Sequence, residues 1–276
     1  MKISLCNEVL ADYDFARQCE VAHHLGYDGI ELAPLTVSSE PHLMPAERRA
    51  ELRRIAADAG VPITGLHYIL RAPEGLSITS KDAAQREKTI DVMKRLCDLA
   101  ADLGGKTLVH GSPAQRRLET GDEADGRKRA IECWAAMAPA AEQAGVHYCI
   151  EALAPPAANF INTIDEAIAI VQAIGSPAIM TMIDCSAAGA FEKAPIPELI
   201  RRYVPTGLIG HVHFNDPNRR GPGEGDLKFG PIVTALHDVG YSGAIGVEPF
   251  IYIPDGPATA ARNIGYIRGV LDGVTR

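Results

Sequence analysis

Three carboxylates and an imidazole carry the chemistry that can be read from this chain. Glu151, Asp184, His213 and Glu248 each close a short apolar run or lie one residue inside its end. Runs of this kind read as β-strands, and polar residues at the ends of successive strands can converge at one mouth. Carboxylates brought that close raise one another's pKa, and a divalent cation relieves the conflict. Three oxygen donors with one imidazole favour Mn2+, with Mg2+ or Co2+ as alternatives. A metal chelated by a ketose carbonyl and its neighbouring hydroxyl acidifies the adjacent C–H bond. One carboxylate removes that proton to give a cis-enediolate held at the metal, and a second returns it from the opposite face. The expected activity is a divalent-metal-dependent sugar (ketose or hydroxy-keto acid) isomerase or epimerase. A keto-sugar or keto-inositol lyase or dehydratase would begin with the same proton abstraction, and a non-catalytic sugar-binding barrel could keep the metal for structure.

The elements that must position these residues can be traced through the whole chain. Apolar, β-rich runs fall at Lys2–Cys6, Gly29–Ala33, Pro62–His67, Thr107–His110, His147–Glu151, Ile179–Asp184, Gly207–Phe214 and Ala244–Glu248. Between them lie helical patterns such as Ile90, Met93, Leu96, Leu99 and Leu103, and Ile164, Ile168, Val171 and Ile174. Several of these patterns end in a glycine turn, as at Leu103-Gly104-Gly105. Strands alternating with helices give parallel βα units, and the units predict an α/β fold, a (β/α)8 TIM barrel filling residues 1–276 as one domain. A doubly wound sheet is disfavoured because Cys6-Asn7-Glu8, not a glycine-rich fingerprint, follows the first run.

Reading the ends of the runs in order gives Asn7, Glu31, His67, His110, Glu151, Asp184, His213 and Glu248. Glu31, His67 and His110 are expected to line a substrate pocket; the alternative for the two histidines is a buried, hydrogen-bonded ring, and for Glu31 a pairing with a basic residue. His211 shares a strand face with His213 but lies deeper, which suits a supporting role. Arg116 and Arg117 fit either a substrate phosphate or carboxylate, or a solvated loop.

A net charge of −8 argues against nucleic acid and anionic membranes as partners. The partner expected is a small sugar or keto-sugar. The six cysteines show no C-x-x-C spacing and read as reduced, buried thiols. With no signal sequence and no run long enough to span a bilayer, the expectation is a cytoplasmic protein.

The phrases His211-Val212-His213-Phe214-Asn215-Asp216 with Asn218-Arg219, and Gly240-Tyr241-Ser242-Gly243 leading to Val247-Glu248-Pro249-Phe250, resemble the xylose-isomerase-like sugar isomerases and epimerases. The resemblance is nearest to the ketose 3-epimerases and hydroxypyruvate-isomerase-like enzymes. It implies that Glu151 and Glu248 bind the metal and act as the acid/base pair, that Asp184 and His213 complete the metal shell, and that Arg219 contacts substrate. It also implies a homodimer or homotetramer. Two positions depart from the 3-epimerase pattern: Ala187 stands where a substrate-touching histidine is usual, and Ala157 where a substrate-binding glutamate is usual. Those departures point away from an ordinary free ketohexose. The apurinic-endonuclease branch needs further histidines at Ala187 and within Asp226-Leu227-Lys228, and this chain lacks both.

Overall fold

The computed structural model describes residues 1–274. Eight parallel strands close into a barrel in sequence order: β1 (Lys2–Cys6), β2 (Gly29–Leu32), β3 (Ile63–Leu66), β4 (Thr107–His110), β5 (His147–Ile150), β6 (Ile179–Asp184), β7 (Ile209–Phe214) and β8 (Ala244–Val247). β1 pairs with both β2 and β8, which completes the ring. Around it run α1 (Phe15–Leu25), α2 (Ala46–Asp58), α3 (Ala83–Leu103), α4 (Glu123–Ala144), α5 (Ile164–Ile174), α6 (Cys185–Phe191), α7 (Ile196–Tyr203), α8 (Phe229–Asp238) and α9 (Gly256–Val274). The expected TIM barrel is the fold observed.

The strand ends differ from the expected runs by a residue or two, for local reasons. Pro62 has no N–H to give a ladder, so β3 starts at Ile63. Val204–Thr206 forms a 3-10 turn closed by Gly207, so β7 starts at Ile209. The apolar repeat from Ile90 to Leu103 falls within α3, whose start is capped by the Asp82 carboxylate accepting from Ala84 N–H. Its end is closed by Gly104 at φ 87°, a left-handed position that suits glycine.

Alternation along each strand sorts the side chains between two environments. Outward residues such as Tyr148, Ile150, Ile183, Val212 and Val247 join the large apolar layer beneath the helices. Inward, Val109, Cys149 and Met182 form a small separate apolar cluster with Met180. Polar inward residues stand around it. All six cysteines are buried and unpaired. Among the described residues no helix is long and apolar enough to cross a membrane.

Candidate active site

Glu151, Asp184, His213 and Glu248 do meet. Their ligand atoms all lie within 4.8 Å of one another at the C-terminal ends of β5 to β8, and all four side chains are buried. The register explains the convergence, since Asp184 pairs with His213 and His213 with Gly246 across β6, β7 and β8. Glycines leave the room this needs. A Cβ at Gly111 would overlap the Glu151 carboxylate, and one at Gly246 would strike the rings and oxygens of His213 and Glu31.

Each member is held by its neighbours. Asp184 caps the start of α6, its Oδ1 accepting from Ala187 N–H at 2.7 Å, while Oδ2 accepts from Asn215 Nδ2 at 2.7 Å. Asn215 in turn accepts from Ser186 N–H at 2.7 Å, so the end of β7 is tied to the end of β6. His213 presents Nδ1 to the cluster, 3.0 Å from Glu248 and 3.9 Å from Asp184, with no hydrogen bond formed there. Its Nε2 is 3.0 Å from Glu31, which also lies 2.9 Å from His211 Nε2. A carboxylate behind a ligating imidazole fixes the ring's tautomer and orientation.

The electrostatics favour a cation. Burial first, then the charges of Asp184 and Glu248, push the Glu151 carboxyl well above the usual range. Burial also raises Asp184 and Glu248. Burial opposes a charged His213, yet Glu248 and Glu31 outweigh it and hold the imidazole well above 6.5. Three buried acids and an imidazole nitrogen without a hydrogen-bond partner fit a divalent ion with oxygen and nitrogen ligands. Glu31, His211 and His213 also lie close enough to hold an ion, but they already satisfy one another by hydrogen bonds.

Above the cluster opens a cavity of about 590 Å3, with Glu151, Asp184 and Glu248 in its wall. Arg219 lines it too, its guanidinium 5.4 Å from the centre of the Phe250 ring. Arg219 sits at φ 67°, and its carbonyl accepts from the N–H groups of Phe250 and Ile251. The loop after β7 is thereby laced to the loop after β8. Ala157 and Ala187 both face this cavity.

Three residues expected to touch substrate are placed elsewhere. Glu31, His67 and His110 are fully buried and are not part of the cavity wall. Glu31 lies beneath His213, and His211 takes the deeper, supporting place expected of it. His67 Nε2 is 2.5 Å from Glu8; burial opposes a charged His67, yet the charge and hydrogen bond of Glu8, with the charges of Glu31 and Glu248, together outweigh it and raise the pKa. His110 faces out of the barrel, because the alternation in β4 gives the inward place to Val109. Trp134 Nε1–H donates to His110 Nδ1 at 3.1 Å, which leaves the ring proton on Nε2. Burial, aided by the charge of Arg116, holds its pKa well below 6.5. Asn7 also proves to be a loop organiser, its amide bridging Gln18, Thr36 and Ala33.

Arg116 matches neither expected reading. It is fully buried with its guanidinium nitrogens unpartnered, and burial pushes its pKa down to about 10 against the pull of Glu151. Arg117 is exposed. Residues given no role from the sequence also enter the site: Glu8 through His67, and Tyr68 and Phe250 as a ring pair 6.5 Å apart. Asn215 could have been suspected from its place directly after the His-Val-His-Phe run.

Comparison with known proteins shows what the chain is related to. D-psicose 3-epimerase of Ruminiclostridium cellulolyticum is 29% identical over 267 residues, which is 95% of this chain and 86% of that protein. D-psicose 3-epimerase of Agrobacterium fabrum is 28% identical, over 86% of this chain and 80% of its own length. A crystal structure of a D-psicose 3-epimerase in the presence of D-fructose superposes with a TM-score of 0.82, at 24% identity, covering 98% of this chain and 99% of that one. The family model for the xylose isomerase-like TIM barrel matches residues 19–270. With that match spanning most of the chain, and with a closed eight-stranded parallel barrel, this chain belongs to the xylose isomerase-like TIM barrel family.

Proposed function

We propose that this chain is a divalent-metal-dependent sugar isomerase or epimerase, with Mn2+ as the preferred ion and a keto-sugar as substrate. The observation that carries the reading is the convergence of Glu151, Asp184, His213 and Glu248 within 4.8 Å at the floor of a cavity. The relatedness to psicose 3-epimerases supports it. The same four residues would hold the ion, which when bound polarises the substrate carbonyl as a Lewis acid.

The remaining chemistry falls to the chain's own groups. One of Glu151 and Glu248 takes the proton from the carbon beside the carbonyl, and the electron pair moves to the carbonyl oxygen to give a cis-enediolate. The other, protonated, returns a proton to the opposite face as the carbonyl re-forms, which inverts that carbon. Burial raises both carboxyls above the usual carboxylate range, the direction that suits a group that must both accept and return a proton. Arg219, on the cavity wall, orients a substrate hydroxyl or stabilises the negative oxygen.

The test is wash-in of solvent deuterium at the substrate carbon, followed by NMR with Mn2+-loaded protein. Glu151→Gln and Glu248→Gln are each expected to lose the catalysed exchange by a factor of about 10²–10⁴, the usual contribution of a general acid or base. Exchange at the wild-type rate in either variant would refute the assignment.

A further inference from the structure

Resting on the reading of Glu151 and Glu248 as the sugar end of the site, the cavity's shape and chemistry specify more about what is bound. Its volume of about 590 Å3 falls in the middle of the range of about 300–1,000 Å3 that accommodates drug-sized ligands. A free ketose is smaller than such ligands and would leave much of that space to water. The lining is also sharply divided. Glu151, Asp184, Glu248, Ser186 and Arg219 supply polar groups around the cluster. The wall built by the loop after β5 is different: Leu153, Ala154, Pro155, Pro156 and Ala157 offer it only hydrocarbon side chains. The rings of Tyr68 and Phe250, packed edge to face, line the same cavity. A sugar hydroxyl pressed on the β5-loop wall would give up its hydrogen bonds to water and find no side-chain partner there.

We propose that the occupant is a keto-sugar bearing an apolar substituent of ring size on the end remote from its carbonyl. The carbonyl end lies over Glu151 and Glu248, and the substituent fills the space between the Leu153–Ala157 wall and the Tyr68–Phe250 pair. Continuity of this wall with the acid cluster in a single cavity is what joins the two parts into one ligand. The substituent contributes affinity by leaving water, and because it lies away from the reacting carbon it acts on KM more than on kcat.

The probes are D-fructose and 6-O-benzyl-D-fructose, compared on Mn2+-loaded protein by calorimetric binding and by deuterium wash-in. The benzyl ether is expected to bind at least tenfold more tightly, and in exchange to show a correspondingly lower KM at similar kcat. Ala157→Asp, which sets a charge on the apolar wall, is expected to shrink that preference at least fivefold, while Ala157→Val preserves it. Equal binding of the two sugars, binding of neither, or an undiminished preference in Ala157→Asp would overturn the proposal. Tighter binding of the benzyl ether without any exchange would uphold this subsite while removing the epimerase reading, so the two ideas fail separately.

Discussion

Glu31 shows how much of this site depends on a residue that never reaches the cavity. It is fully buried, and the paired imidazoles of His211 and His213 hold its carboxyl ionised against the cost of burial. Its role is to aim His213 Nδ1 at the acids. Glu31→Gln keeps the shape and removes the charge, so Mn2+ affinity measured by calorimetry should fall about 10- to 100-fold, the usual effect of losing the partner of a ligating histidine. Unchanged affinity would mean that the ring is held by packing alone. Gly111 makes a complementary case. Gly111→Ala should displace the Glu151 carboxylate and depress both metal binding and exchange, because the added methyl has no other space. A variant with wild-type exchange would show that Glu151 can work from another position.

At the scale of elements, the loop after β7 brings Arg219 to the cavity and is itself anchored to α9. Glu224, with its side chain 1% exposed, accepts from Arg220 and Arg262, and also from Asn263 at 2.9 Å. Asp216 gathers the two ends of the loop, accepting from the N–H groups of Asn218 and Leu227. Glu224→Ala leaves the buried Asn263 without that acceptor and should cost about 1–3 kcal/mol. The expected sign in kinetics is a raised KM with little change in unsubstituted metal affinity, since Arg219 is loosened while the acid cluster is not touched. Limited proteolysis within residues 215–228 offers an independent readout. Strand β4 teaches the converse lesson: its terminal histidine belongs to the helix layer, where it joins Trp134 of α4 and Tyr148 of β5.

Two properties of the whole molecule follow. A metal that binds only the folded barrel stabilises it by mass action, so Mn2+ at about a hundred times its Kd should add about 2.7 kcal/mol, removable by chelator in a thermal melt. No shift in Tm on chelation would contradict the metal site. The second concerns acid. His110 has its folded pKa well below the 6.5 of the free side chain, so the unfolded chain takes up a proton that the folded chain refuses. Its stabilising effect is present above 6.5 and is lost progressively as pH falls below that value. His110→Asn retains an acceptor for Trp134 and removes the titration, so its denaturation curves should lose this part of the acid sensitivity. An identical pH slope in both proteins would show that His110 is protonated in the fold.

Much of this was legible in the chain itself. Eight alternating units, glycine turns, and three acids and a histidine at the ends of the last four apolar runs sufficed for the barrel and for Glu151, Asp184, His213 and Glu248, because strand parity and unit order are local properties. His211 followed from the same parity. His110 was misplaced because a four-residue strand does not reveal which of Val109 and His110 turns inward; pairing of Val109 with Cys149 decided it. Glu31 and His67 kept their inward direction, yet only packing against β7 and the Glu8 turn put them beneath the floor of the cavity. Arg116 became a buried cation by the same kind of long-range packing. Sequence alone determined which residue types reach the mouth of the barrel. Tertiary structure decided which of them face the substrate, because depth and apolar surroundings arise only where loops distant in sequence close over one cavity.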